Sequence, residues 1–187
     1  MSKRISESDY NNAAKVLKCE VAVIKAVAKV ESAGNGFHSN GEPVILFEGH
    51  KFHKYTNGKF TTPENENISH RKWSRKYYKE NQHKRLQKAA ELDRDAALMS
   101  ASWGKFQIMG FNYKLCGFRT VQDFVNAMYK DEGKHLMSFV NFVINTGLST
   151  KLRNKDWSGF ARGYNGSSYK VNRYDTKMSE AYNRLSK

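Results

Sequence analysis

The stretch from Val21 to Phe37 reads VAVIKAVAKVESAGNGF, a helical pattern that stops abruptly. Ile24, Val27, Ala28 and Glu31 share one face at the three-and-four spacing of an α-helix. A carboxylate therefore takes the last step of an apolar stripe, where the pattern calls for another Leu or Val. Gly34, Asn35 and Gly36 follow and break the helix. A carboxyl held against an apolar core keeps its proton to higher pH, because desolvation disfavours the anion. A proton donor that works near neutrality needs this property. A Glu so close to a helix end can equally turn out to solvent, and this stretch alone leaves both readings open.

The surrounding chain predicts a mainly helical, single globular domain with a small extended or β segment around residues 43–60. Its 187 residues suit one well-packed domain, with abundant aromatics (13%) and 2 prolines. Ser6, Ser8 and Asp9 are N-cap candidates for a first helix ending near Leu17. A second helix runs from about Glu20 to Glu31. EPVILFEGH at 42–50 reads as a strand or extended segment, followed by a turn at Asn57-Gly58 and a polar loop from Thr61 to Asn67. Leu86 to Met99 reads as one helix, with Leu86, Ala89, Ala90, Ala97 and Leu98 inward. Residues 100–118 are too rich in glycine and aromatics for a long helix. Thr120, with Asp123 in capping-box position, opens a helix from about 121 to 146. Its core face carries Phe124, Met128, Leu136, Phe139, Val140 and Val143, and Gly147 ends it. Asp156 caps a helix holding Trp157, Phe160, Ala161 and Tyr164, which Asn165-Gly166 breaks. Val171, Tyr174, Met178, Tyr182 and Leu185 mark the last helix.

The net charge of +14 and pI of about 9.7 favour a polyanionic partner: nucleic acid, anionic lipid or a bacterial envelope. Residues 69–88, SHRKWSRKYYKENQHKRLQK, interleave Lys and Arg with Trp73, Tyr77 and Tyr78. This pattern fits a surface where rings stack on sugars or bases and cations meet anions. It also fits a solvated helix face with its aromatics turned inward. Cys19 and Cys116 show neither metal spacing nor a disulfide framework and read as buried thiols. No His-Glu-x-x-His helix or similar ligand pattern occurs, so neither a metal nor another cofactor is expected. The N-terminal MSKRISESDYNNAAKV lacks the apolar core of a signal peptide, and no apolar run reaches the roughly 18 residues of a membrane span. Accumulation in the cytoplasm is the expectation.

Three further motifs stand in order: Glu31-Ser32 at the helix end, then Ser102-Trp103-Gly104-Lys105-Phe106-Gln107-Ile108-Met109, then Ala161-Arg162-Gly163-Tyr164-Asn165-Gly166. Together they resemble the lysozyme superfamily, in the branch of goose-type lysozymes and soluble lytic transglycosylases. That branch carries a Glu-Ser pair, a Gly-Leu-Met-Gln-like segment and an Ala-Tyr-Asn-x-Gly-like segment. Longer blocks, VESAGNGF, GEPVILFEGHKF and ASWGKFQIMGFNYKLCGF, resemble the phage-associated N-acetylmuramidase family over nearly the whole chain. The resemblance implies a lysozyme-like α+β fold and an endolysin that cleaves peptidoglycan between N-acetylmuramic acid and N-acetylglucosamine. It implies one catalytic domain over residues 1–187, without a separate wall-binding module. It also implies a monomer in the host cytoplasm, released by a separate membrane-pore protein to act on the wall. The positive charge would add contact with anionic lipopolysaccharide.

Glycoside hydrolysis needs an acid for the leaving oxygen and commonly a second carboxylate. Glu31 is the expected acid. Glu48, closing the apolar Val-Ile-Leu-Phe run, is the leading second carboxylate, unless it instead pairs with His50 or a nearby cation. The resemblance makes Gln107 a substrate-positioning amide, although an amide can also tie its own loop. Ser32, Gly104, Tyr164 and Asn165 join it as expected substrate-binding residues. Trp103 and Phe106 either line the cleft or fill the core. A transglycosylase working through Glu31 alone, and more remotely a basic nucleic-acid-binding protein, are the competing readings. No helix-turn-helix or zinc pattern supports the latter.

Overall fold

A computed structural model describes residues 3–32 and 34–187. Ala33, inside the turn expected after Glu31, lies outside the described residues, as do Met1 and Ser2. The helices are α1 (Glu7–Leu17), α2 (Val21–Glu31), α3 (Gly49–Tyr55), α4 (Gln82–Leu92), α5 (Arg94–Met99), α6 (Val121–Lys130), α7 (Glu132–Asn145), α8 (Ser149–Arg153), α9 (Trp157–Asn165) and α10 (Tyr174–Leu185). Strands β1 (Ile45–Phe47), β2 (Ala101–Trp103) and β3 (Ile108–Met109) form one antiparallel sheet in that order. The mainly helical fold with a small sheet is the one expected. Ser6 caps α1 in a reciprocal box with Asp9, Thr120 caps α6, and Asp156 caps α9 through the Gly159 N–H.

Four boundaries differ from the expectation. The helix expected over 121–146 is two, because Asp131 is extended (φ −162°, ψ 166°) and its side chain caps α7 at Lys134. Asp93 does the same between α4 and α5, dividing the helix expected over 86–99. In both cases an Asp inside an apolar pattern takes the backbone out of the helix by offering its own cap. The extended segment around 43–60 narrows to β1. Residues 49–55 turn helical behind Glu48, and the other two strands come from 101–109. Val171 stands 83% exposed ahead of α10, not on its inner face.

The core gathers around α7. Leu136, Phe139, Val140 and Val143 are fully buried, and Phe139 meets Phe106, Phe160 and Tyr164 with ring centroids 4.7, 6.4 and 5.3 Å apart. α10 packs along α2 and α9, and α1 packs on α2 and α7, so α2 lies between α1 and α10. Gly110, following β3, meets the α5 backbone so closely that a Cβ there would lie 2.0 Å from the Leu98 carbonyl oxygen. Backbone cannot swing away as a side chain can. Gly110→Ala should therefore cost roughly 3 kcal/mol and lower the melting temperature by about 6–12 °C, read by thermal denaturation.

Candidate active site

Glu31 ends α2 in a cavity of about 460 Å³, lined also by Val30, Phe106, Gln107, Met109, Tyr164 and Asn165. The apolar stripe of α2 carries Ile24, Val27 and Ala28 into the core and leaves the carboxyl at the cavity wall. Desolvation raises its pKa to about 7, opposed by a 2.8 Å hydrogen bond from Asn165 Nδ2 to Oε1. Glu31 is therefore not the solvent-facing helix end that the sequence left open. Asn165 closes α9, where Gly166 (φ +77°) ends the helix, so the Asn-Gly pair sets this contact.

The cavity floor is built by the turn between β2 and β3. Gln107 holds a left-handed φ of +48° and Gly104 one of +66°. Ser102 Oγ donates to Gln107 Oε1 at 2.8 Å, while Gln107 Nε2 donates to the carbonyls of Gly104 (2.8 Å) and Val44 (3.2 Å). Gln107 thus ties its own loop while facing the cavity. Phe106 is 4% exposed and stacks on Phe139. Tyr164 packs among Phe139, Phe142 and Phe160. Burial pushes its phenol well above the ordinary range, and its O–H reaches the Phe106 carbonyl at 3.5 Å. Both rings serve core and cavity together.

Three expected substrate contacts fall elsewhere. Trp103 is 1% exposed and donates its indole N–H to Leu98 O, so it fills the core. Behind Gly104, the place of a Cβ is taken by the His135 ring, 2.7 Å away at Nδ1, which together with its left-handed φ accounts for a glycine here. Ser32 is the half-buried cap residue of α2 and is absent from the cavity lining.

Glu48 does not line the Glu31 cavity, but the sheet connects the two. Register aligns Leu46 with Ser102 and Ser102 with Met109, placing these three on one face, and Met109 lines the cavity. Glu48 lies two residues beyond Leu46 on extended backbone (φ −108°, ψ 94°), so its side chain leaves on the same face. Tyr78 O–H donates to Glu48 Oε1 at 2.7 Å, and His50 Nδ1 lies 3.3 Å from Oε2. Burial lowers the His50 pKa, against the pull of Glu48. The sequence offered catalysis or pairing for Glu48; its carboxylate accepts from Tyr78, with His50 beside it, on the cleft-facing side of the sheet.

A second group of residues had no sequence signal. Glu132, 4% exposed, accepts from the N–H groups of Gly36 (2.7 Å) and Ile5 (3.4 Å) and pairs with Lys105 Nζ at 3.3 Å. Lys105 Nζ also donates to Gly34 O at 2.6 Å. His135 Nδ1 accepts from the Lys105 N–H at 3.1 Å, so the proton sits on Nε2, which donates to Met128 O at 2.7 Å. Burial lowers the pKa of His135 and keeps it neutral. Together these groups hold the turn after Glu31 and the loop before Gln107 from behind. The pattern shows an ordinary Glu and His in an amphipathic helix, and nothing local marks them.

Among the described residues no cluster of His, Cys, Asp or Glu could hold a metal ion, and no helix is long and apolar enough to cross a membrane. Compared with known proteins, residues 20–186 match the family model for N-acetylmuramidase. A search of curated proteins finds no match. Among solved structures, a crystal structure of Burkholderia AP3 phage endolysin is similar, with a TM-score of 0.91 and 35% sequence identity over 98% of this chain and 72% of that one.

Proposed function

The chain belongs to the N-acetylmuramidase family and is a glycoside hydrolase acting on peptidoglycan, and from this we propose that Glu31 protonates the oxygen of the β-1,4 bond between N-acetylmuramic acid and N-acetylglucosamine. The observation that carries the assignment is a carboxyl with its pKa raised to about 7 in a cavity open to a ligand. Such a group remains substantially protonated near neutrality, as a general acid must. Glu48 is the second carboxylate of the proposed mechanism. Tyr78 O–H donates to one of its oxygens and so fixes the carboxylate, which would stabilise or attack the oxocarbenium-like centre, or activate water. Gln107, Tyr164 and Asn165 position the sugar.

One observation favours the single-carboxylate route of a lytic transglycosylase: Glu48 stands outside the Glu31 cavity, with one oxygen taken by Tyr78. Mass spectrometry of muropeptides released from purified sacculi separates the two. The hydrolytic reading expects reducing muramic acid ends, and 1,6-anhydro ends would replace it with the transglycosylase.

Asn165→Ala supplies a second test. Its amide stabilises the ionised Glu31, so its loss should raise the carboxyl pKa further. The alkaline fall of kcat/KM, set near pH 7 by Glu31, should move upward. An unmoved limb would separate Asn165 from the acid.

The matched region is read as one catalytic domain that acts as a monomer and lyses a phage host after release across its inner membrane. The charge of +14 supports retention on an anionic envelope, including lipopolysaccharide. Association with sacculi should accordingly weaken as salt shortens the Debye length from about 10 Å at 0.1 M to about 3 Å at 1 M.

A further inference from the structure

Trp73 is 55% exposed, the most open of the large aromatic side chains in the described residues. An exposed indole ordinarily lacks a fixed orientation, but this one is held at its polar edge. Its Nε1–H donates to Tyr78 Oη at 3.2 Å, and the Tyr78 O–H in turn donates to Glu48 Oε1 at 2.7 Å. A continuous chain of donors therefore runs from the protein surface to the proposed second carboxylate. The Arg75 guanidinium lies 5.2 Å from the Trp73 ring centroid, a cation–π contact that leaves its N–H groups on an exposed residue. Tyr77 beside them is buried, and Arg85 bonds the carbonyls of Phe47 and Asn67 beneath it, so the segment is anchored where it turns. Trp73 and Arg75 are left facing outward.

We propose that Trp73 and Arg75 form a peptidoglycan-binding platform at the Glu48 end of the cleft, the indole stacking on a pyranose ring and the guanidinium pairing with a stem-peptide carboxylate. The inference rests on the reading of Glu48 as part of the cleft. The flat face of a pyranose presents C–H bonds to the negative face of an indole, and the edge of the ring stays free for hydrogen bonds. A guanidinium forks onto a carboxylate with two parallel N–H bonds, and the muramyl peptide is where this polymer carries its carboxylates. Tyr78 acts here as a positioning residue. One of its lone pairs takes the indole proton and its own proton fixes Glu48, so the platform and the carboxylate keep a set separation. Neutral sugar contacts and charge contacts are thereby split between two side chains, which can be tested apart.

The test is steady-state kinetics of the full chain on solubilised peptide-bearing glycan strands, with their carboxylates free or blocked as methylamides, combined with co-sedimentation on intact sacculi. Trp73→Ala should raise KM roughly 10-fold on both strand types, the scale of one lost stacking contact, with kcat within about twofold. Trp73→Phe should recover most of that loss. Arg75→Ala should raise KM on strands with free carboxylates and leave the blocked strands unchanged. Tyr78→Phe, which releases Glu48 Oε1, should lower kcat more than it alters KM. An unchanged KM in Trp73→Ala, or an equal effect of Arg75→Ala on both strand types, would overturn the platform. If wild-type protein released no muramic acid ends at all, the catalytic assignment would fail separately. Co-sedimentation still decides the platform in that case: sacculus binding lost in Trp73→Ala supports it, and binding retained removes it.

Discussion

Glu31→Gln is expected to reduce cleavage of peptidoglycan by about a thousandfold or more and, at the same time, to stabilise the protein at pH 8. The activity loss follows from removing the proposed proton donor while keeping the shape of the side chain. The stability gain follows from the pKa. Glu31 titrates at about 7 in the folded protein against an ordinary value of 4.5. Below the ordinary value both states are protonated and the group adds no penalty. Between the two values the folded state retains a proton that the unfolded chain releases, so folding becomes less favourable as pH rises, and above about 7 the penalty is constant. The neutral amide removes it and can still accept the Asn165 hydrogen bond through its own oxygen. At about 1.4 kcal/mol per pKa unit the full shift corresponds to about 3.5 kcal/mol; solvent screening at the open cavity reduces this, and a gain of about 2–3 kcal/mol and about 5–10 °C in melting temperature is expected at pH 8. The gain should vanish at pH 4. Thermal melts of both proteins at the two pH values check this, and equal melting temperatures at pH 8 would mean that Glu31 is solvated.

Glu48→Gln is expected to lower kcat by about a hundredfold if cleavage uses two carboxylates. The variant should fold normally. Its oxygen can accept from Tyr78 as the carboxylate does, and its NH₂ can face His50 Nδ1, an acceptor in one neutral tautomer. A rate within about threefold of wild type, together with 1,6-anhydro products, would assign the reaction to Glu31 alone. The rate and the product therefore decide together, because a transglycosylase needs only one group to act first as acid and then as base.

The sequence exposed those features that local chemistry controls. The stripe of α2 put Glu31 in line with the buried face, but whether its carboxyl turned to solvent was decided only by α9 and the β2–β3 turn, which come from distant sequence. Caps at Ser6, Thr120 and Asp156 were visible, being local. Asp93 and Asp131 were not, since an Asp within an apolar period looks like one exposed helix position until its own side chain closes the next helix. The grouping of Glu31, Phe106, Gln107, Tyr164 and Asn165 came from resemblance, and the cavity brings these five together. Trp103 and Gly104 sit in the same motif but face the core and His135. Period-two alternation in so short a strand cannot tell a cavity face from a core face without its partner strands. Glu132 and His135 act across distances in sequence that no local pattern records.

The pair on α7 has a consequence for how the enzyme loses activity. Glu132 reaches Ile5 over 127 positions and Gly36 over 96, while His135 meets Lys105 over 30. The support behind the Glu31 cavity therefore rests on long-range contacts spanning most of the chain. No fragment that lacks the N-terminal segment, the middle loop or α7 contains them all. Fraying that frees any one of these three parts dismantles the rear support of the site. In a urea titration, loss of lytic rate and loss of far-UV circular dichroism should then follow one curve, with catalysis as sensitive a reporter of global unfolding as any spectroscopic probe.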